Sequence, residues 1–312
     1  MTIDVASSYD AAHREGVGTL PAMPSTVIDI LRLEALGMVN LQALHAWLQR
    51  AADLSAFAAP ANALLMAPVP RPSSMRDGYA FRQHVEAARR NRGLEMIPEF
   101  DEIPIFYFTN HQAVFGPGPI PVQQKHLQQL DFELEVAIVI GRKGKNIPAS
   151  AADSYIAGFM VMNDWSARVL QMQEMKLNLG PAKGKDFATA LGPWLVTPDE
   201  LAHRRIDTPN GAAYDLEMRT VINGKDVALG NVKDMTWTFA QIIERASYGV
   251  TLYPGDVIGS GTCGTGCFLE LNGSKVYDPA WWLGVGDEVT CSIDLLGDLT
   301  NTVVLEAEDA TA

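Results

Sequence analysis

The segment Asp131-Phe-Glu-Leu-Glu135 runs without a break into Val-Ala-Ile-Val-Ile140. Consecutive apolar, largely β-branched residues read as a buried strand. On a strand alternate side chains share a face, so Glu133 and Glu135 would project together from its start. Two carboxylates side by side are unfavourable unless a cation or a proton compensates them. An exposed acidic pair at a strand edge is the ordinary alternative. The apolar run that begins at the next residue weighs against it, because it implies burial.

Two further carboxylates have a similar setting. Asp164, in Val161-Met-Asn-Asp-Trp-Ser-Ala-Arg168, ends the short apolar run Phe159–Met162, which also reads as a buried strand. Asp77 lies in Met75-Arg-Asp-Gly-Tyr-Ala-Phe-Arg-Gln-His84, where Asp77 to Arg92 reads as a short helix. Seven residues, about two helical turns, separate Asp77 from His84. The two would lie along one helix face, or Asp77 would sit just ahead of the helix as its cap. Four carboxylates without thiols or paired histidines suit a hard cation, Mg²⁺, Mn²⁺ or Ca²⁺, rather than zinc. Cys263 and Cys267 have metal-like spacing, but no further thiol or neighbouring His completes a zinc site. With Cys291 they read as free thiols in a reducing cytoplasm.

Composition narrows the partners. The 312-residue chain has 24 Lys plus Arg against 37 Asp plus Glu, a net charge of −13. A chain this acidic lacks the basic face that a nucleic-acid backbone needs. No window is long and apolar enough for a membrane span, and the first residues lack the pattern of a signal peptide. The glycines at 261 and 264–266 resemble a phosphate-cradling loop, but no Lys-Ser/Thr follows, so nucleotide binding is excluded.

The texture changes near residue 70. Residues 1–70 are Ala- and Leu-rich, with a helix expected over 41–65 and Leu44, Trp47, Leu48 and Ala51 on one face. Met66-Ala-Pro-Val-Pro-Arg-Pro72 then breaks any helix. A small N-terminal domain, 1–70, and a large strand-rich domain, 71–312, are expected. In the second, residues 216–222 alternate into Asn223-Gly224, a hairpin signal. Residues 288–295 and 302–306 read as further strands, 238–247 as a helix, and 106–118 as a loop.

Taken together, DFELEVAIVIG, NDWSAR, KGKDF and Tyr253-Pro-Gly-Asp-Val-Ile-Gly-Ser-Gly-Thr262, in this order, resemble the fumarylacetoacetate hydrolase family over roughly residues 70–305. The resemblance implies an α+β, β-rich fold: a mixed β-roll/β-sandwich catalytic domain behind a small N-terminal α/β domain. It implies that Asp77, Glu133, Glu135 and Asp164 hold a divalent cation, Mg²⁺ first, and that His84 and Glu270 activate water. It assigns Lys185 and Gln171 to carbonyl or oxyanion contacts, and Tyr79, Tyr107, Thr262 and an Arg of 89–92, here Arg92, to the substrate pocket. It also implies a homodimer, with apolar residues around Pro279–Leu283 contributing.

The implied reaction is hydrolysis of the C–C bond of a β-diketo acid, as in fumarylacetoacetase, within aromatic-compound catabolism. A water must lose a proton near neutral pH, for which histidine is suited. The attacked carbonyl and the departing enolate must be stabilised by donors and by the cation. An isomerase or decarboxylase of 2-oxo-diene dicarboxylates would use the same scaffold and metal. A non-catalytic binding protein would have no need of the full ligand set.

Overall fold

Side-chain alternation along the Leu134–Ile140 strand organises the molecule. Leu134, Val136, Ile138 and Ile140 join one apolar cluster, while Ala137 and Val139 join another. The strand is therefore buried on both faces, as the uninterrupted apolar run requires. The structure is a computed structural model and describes residues 2–60 and 62–306.

Leu134–Ile140 lies in the middle of a seven-stranded sheet. Its order is Phe106–Phe108, Met75–Gly78, Val257–Gly259, Leu134–Ile140, Ile156–Asp164, Thr189–Val196 and Val114–Phe115. Most neighbours are antiparallel, but Met75–Gly78 pairs with Val257–Gly259 in parallel. A second, five-stranded sheet runs Lys225–Asn231, Glu217–Ile222, Glu288–Ile293, Gly297–Leu305 and Gly118–Val122. Met218, Ile222, Val289, Ile293, Leu299 and Val303 from this sheet pack with Val136, Ile138, Phe159 and Val161 from the first. The result is the two-layer, β-rich α+β architecture expected.

The Asn223-Gly224 turn is the anticipated two-residue hairpin, pairing Ile222 with Lys225. Both residues have positive φ, 50° and 79°, as the primed turn demands. The helix at Phe239–Ser247 starts at Thr238, whose hydroxyl completes a capping box with Gln241.

Three local expectations differ. Asp77 is on the Met75–Gly78 strand, and the helix is shorter, Arg82–Arg90, so Asp77 is neither on its face nor its cap. Residues 106–118 are not a loop throughout, because Phe106–Phe108 and Val114–Phe115 form the two edges of the large sheet. The first-half helix spans Ala35–Leu48 rather than 41–65, and a 3-10 turn follows at Ser55–Phe57. There the Asp53 carboxylate accepts from the Ser55 amide at 2.8 Å, a local bond that competes with continued helix.

In the N-terminal stretch, helices Val5–Arg14, Val27–Arg32 and Ala35–Leu48 enclose Tyr9, Ala12, Met23, Ile30 and Leu44. The β component expected there reduces, among the described residues, to an isolated bridge between Ile3 and Ala58. Ile28 and Leu31 face the other way and pack with Ala67, Val69, Met75, Ala137, Val139, Met160, Met162 and Val257. That second face of the large sheet ends in carboxylates. No helix among the described residues is long and apolar enough to cross a membrane.

Candidate active site

The periodicity of two places three acids on one sheet face. Asp77 follows Met75, Glu135 precedes Ala137, and Asp164 follows Met160 and Met162, all apolar members of the same face. Strand register brings these acids together: Asp77 is level with Gly259, Gly259 with Ala137, and Glu135 with Met162. Glu133 lies just before its strand, and its amide donates to Asn163 Oδ1 at 2.9 Å. Oxygens of Asp77, Glu133, Glu135 and Asp164 all lie within 4.8 Å of one another, and all four residues are buried.

Two glycines make this approach feasible. A Cβ at Gly259 would stand 2.8 Å from Asp77 Oδ1 and 2.8 Å from Met162 Sδ, so only glycine leaves that oxygen its room. Gly261, at φ 81°, donates its amide to Asp77 Oδ1 at 3.2 Å and to Glu135 Oε2 at 3.1 Å. Thr262 Oγ1 is 3.5 Å from Glu135 Oε1.

The electrostatics follow from crowding in a dry place. Burial, reinforced by the Asp164 charge, pushes the Asp77 carboxyl up to about 7. Burial and the neighbouring Asp77 drive Glu135 well above the ordinary carboxylate range. Glu133 goes the other way: burial would raise it, but Lys185 and Arg168 outweigh that and hold it at about 2. Asp164 Oδ2 accepts from Tyr107 Oη at 2.8 Å and from Lys185 Nζ at 2.8 Å. Lys185 Nζ also donates to Glu133 Oε2. Burial opposes the charge of Lys185, but Asp164 and Glu133 keep it protonated above its usual range.

The other Asp164 oxygen, Oδ1, is buried with no hydrogen-bond partner among the described residues. An orphaned oxygen on one of four clustered carboxylates is what a hard divalent cation would satisfy. An all-oxygen donor set of this kind fits Mg²⁺, Mn²⁺ or Ca²⁺.

A second pair flanks the cluster. His84, on the Arg82–Arg90 helix, and Glu270, on the Phe268–Gly273 helix, meet at 2.7 Å between Nδ1 and Oε2. Both are 6% exposed, so water screens the pair little. Glu270 Oε1 accepts from the Thr265 amide at 3.0 Å, and Asn91 Nδ2 donates to the Glu270 carbonyl at 3.2 Å. The Thr265 bond fixes the carboxylate, and the carboxylate fixes the imidazole.

The remaining residues are placed unevenly. Tyr79 packs edge-on to His84 at 5.9 Å between ring centroids. Burial raises its phenol, while the charges of Arg92 and Arg89 reach it and act in the opposite sense. Arg92, just beyond the Arg82–Arg90 helix, is exposed and turned back on it, donating Nε to the Ala88 carbonyl at 3.0 Å. Gln171 is half-buried, and its Oε1 accepts from Arg168 NH1 at 2.9 Å.

Two charged residues that the spacing did not single out tie the halves together. Arg168, 1% exposed, donates Nε to Asp131 Oδ2 at 2.7 Å and NH2 to Glu133 Oε1 at 2.8 Å. Asp131 also accepts the amides of Phe268 and Leu269 at 2.7 and 2.9 Å, which anchors the helix carrying Glu270. Arg168 stands four residues beyond Asp164, and Asp131 opens the acidic strand segment, so both were visible as neighbours of the clustered acids. Their burial was not. Cys267 is a further correction. No His neighbours it in sequence, yet the fold brings its Sγ within 4.8 Å of donor atoms of both His84 and Glu133. All three cysteines are buried and free.

The chain matches the fumarylacetoacetate (FAA) hydrolase C-terminal family over residues 73–304. It is 32% identical over 289 residues to the mitochondrial oxaloacetate tautomerase Fahd2a of Rattus norvegicus, covering 91% of this chain and 81% of the rat protein. Human and bovine FAHD2A align over 202 residues, 64% of this chain but only 59% of their own length. Among solved structures it is similar to a probable 2-hydroxyhepta-2,4-diene-1,7-dioate isomerase from Mycobacterium abscessus. There the TM-score is 0.61 at 26% identity, over 79% of this chain and 80% of that one. The fumarylpyruvate hydrolase of Pseudomonas aeruginosa, solved with Mn²⁺ and pyruvate, gives a TM-score of 0.60 at 22% identity, over 75% of this chain and 91% of that one. At that identity the likeness speaks for the fold alone.

Proposed function

The chain belongs to the fumarylacetoacetate hydrolase family, and from that premise we propose that it is a divalent-cation-dependent hydrolase cleaving the C–C bond of a β-diketo acid of the acylpyruvate or fumarylacetoacetate type. The observation that carries the reading is the buried His84–Glu270 pair, 2.7 Å apart, beside the four-carboxylate cluster. A binding protein needs no such pair.

Asp77, Glu133, Glu135 and Asp164 would hold the cation, Mg²⁺ first and Mn²⁺ next. The all-oxygen donor set and the orphaned Asp164 Oδ1 support the choice. When bound, the cation supplies Lewis acidity for the dicarbonyl oxygens and for the enolate charge that develops on cleavage. His84, oriented through Nδ1 by Glu270, uses its other nitrogen to take a proton from water, and Glu270 stabilises the imidazolium. The hydroxide adds to the acyl carbonyl carbon. Lys185, held protonated, donates to the oxyanion, and Gln171 joins it once its amide turns from Arg168. The C–C bond then breaks, its electron pair going to the departing oxo acid, pyruvate or acetoacetate, as an enolate. His84 returns the proton to that carbon, so one water is consumed and nothing else. Tyr79, Tyr107 and Thr262 shape the pocket, and Arg92 swings away from the Arg82–Arg90 helix to meet the substrate carboxylate. The active species is a homodimer in a reducing, cytoplasmic setting that keeps the three thiols free.

A second reading is favoured by one specific comparison, the 32% identity to a rat oxaloacetate tautomerase over 91% of this chain. Keto–enol exchange of an α-oxo acid needs the same cation site and the same base but no water. Both readings are tested by following acylpyruvates, fumarylpyruvate, fumarylacetoacetate and oxaloacetate spectrophotometrically with Mg²⁺ or Mn²⁺. Stoichiometric release of pyruvate or acetoacetate supports hydrolysis. Accelerated enol decay of oxaloacetate, with no cleavage of any diketo acid, overturns it in favour of tautomerisation. Light scattering at micromolar protein checks the dimer, which a monomer mass would contradict.

A further inference from the structure

The four-carboxylate cluster and the His84–Glu270 pair share a third constellation, completed by Cys267, which neither uses. Donor atoms of His84, Glu133 and Cys267 lie within 4.8 Å of one another. The three come from separate parts of the chain: the Arg82–Arg90 helix, the residue ahead of the central strand, and the residue ahead of the Phe268–Gly273 helix. Cys267 is fully buried, and His84 and Glu133 are 6% exposed. We propose that these residues form a second cation site, selective for a borderline-soft divalent ion such as Zn²⁺, whose occupation removes His84 as a base.

The donor chemistry separates the two sites. The four-carboxylate cluster offers only oxygen and suits a hard ion. Here imidazole nitrogen, thiolate sulfur and one carboxylate oxygen meet, a set that favours Zn²⁺ or Co²⁺ over Mg²⁺. Three protein donors with one open position is the arrangement of accessible zinc centres. Zinc bonds of about 2.0–2.3 Å place tetrahedral ligands roughly 3.3–3.8 Å apart, so donors now within 4.8 Å need to close by up to about 1.5 Å.

Preorganisation supports the same assignment. A histidine that binds a metal through one nitrogen commonly gives the other to a carboxylate, which sets its tautomer and orientation. His84 Nδ1 is already so engaged with Glu270 at 2.7 Å, and Glu270 is held in turn by the Thr265 amide. The free nitrogen is the one that would otherwise take a proton from water. Coordination displaces the Cys267 proton to solvent and leaves a metal thiolate. Glu133 already engages Arg168 and Lys185, but its two oxygens have about four lone-pair directions, so it can bridge both sites. The predicted consequence is inhibition by Zn²⁺ that excess Mg²⁺ does not relieve.

The test titrates the full chain, saturated with Mg²⁺, with Co²⁺. One equivalent should bind with a near-ultraviolet thiolate-to-cobalt charge-transfer band, and Zn²⁺ should abolish the band. Cys267→Ala should lose it while keeping the Mg²⁺-induced rise in melting temperature. Glu270→Gln should weaken Co²⁺ binding by about 10–100-fold. No thiolate band at saturation, or an undiminished band in Cys267→Ala, would overturn the proposal. If Cys267→Ala does not fold, unchanged Co²⁺ affinity in Glu270→Gln overturns it instead. These readouts are spectroscopic, so their failure leaves the hydrolase reading standing.

Discussion

The cation cluster and the acid–base flank sit side by side but are built differently. Asp77, Glu135 and Asp164 ride on strands of one sheet, and their separation is set by hydrogen-bonded register. His84, Glu270, Lys185 and Gln171 come from three short helices and a loop. Moving a strand-held ligand breaks a ladder, whereas moving a helix-held base needs only a shift of one small element. The carboxylate half is therefore the stiff half. The flank is where relatives could vary their chemistry beside a constant carboxylate cluster, and those similar to this chain include a tautomerase and a probable isomerase.

That contrast can be broken experimentally, beginning with the stiff half. Asp164→Ala or Glu135→Ala should abolish the Mg²⁺-induced melting shift and cost at least about 4 kcal/mol of catalysis, roughly 10³-fold in kcat/KM. Retained cation binding would dissolve the cluster as a site. His84→Ala should lower kcat by about 10²–10⁴-fold while leaving the Mg²⁺ melting shift in place. Loss of both together would mean that the two halves are not separable.

Arg168→Ala removes the buried cation shared by Asp131 and Glu133, and should destabilise the fold by about 3–5 kcal/mol in urea titrations. A cost under about 1 kcal/mol would show that Arg168 does not join the halves.

The smallest expected effect concerns pH. Without a cation, Asp77 has a folded value of about 7 against an ordinary 3.8. The folded state then binds more protons than the unfolded state between these values, so stability falls as pH rises through that window. Protons and cation compete for the same oxygens, so the melting shift from saturating Mg²⁺ should be larger at about pH 8 than at about pH 5.5. A shift independent of pH would argue that Asp77 is not a ligand.

Much of this was legible in the chain. The uninterrupted run Val136–Ile140 announced a strand buried on both faces, because no other local structure hides so many β-branched side chains so briefly. Asn223-Gly224 specified its hairpin through the positive φ that both residues adopt. Residue types alone pointed to a hard cation. Other features lay beyond local reading. Asp77 read as a helix residue because its strand is only four residues long and takes its stability from Val257–Gly259, far along the chain. The Ala35–Leu48 helix ends sooner than apolar content suggests, since the bond from Asp53 to Ser55 is a local choice that periodicity does not register.

By itself the sequence determined the inventory: four acids next to apolar runs, a histidine at a fixed interval, and motifs sufficient to name a family. Only the tertiary structure decided which acids share a face, that Gly259 leaves space for Asp77, that Arg168 bridges Asp131 and Glu133, and that Cys267 meets His84. The physical reason is that patterning reports the environment of each residue along its own element. Contact between elements is set by strand register and sheet packing, which join residues more than a hundred positions apart and leave no local periodicity behind.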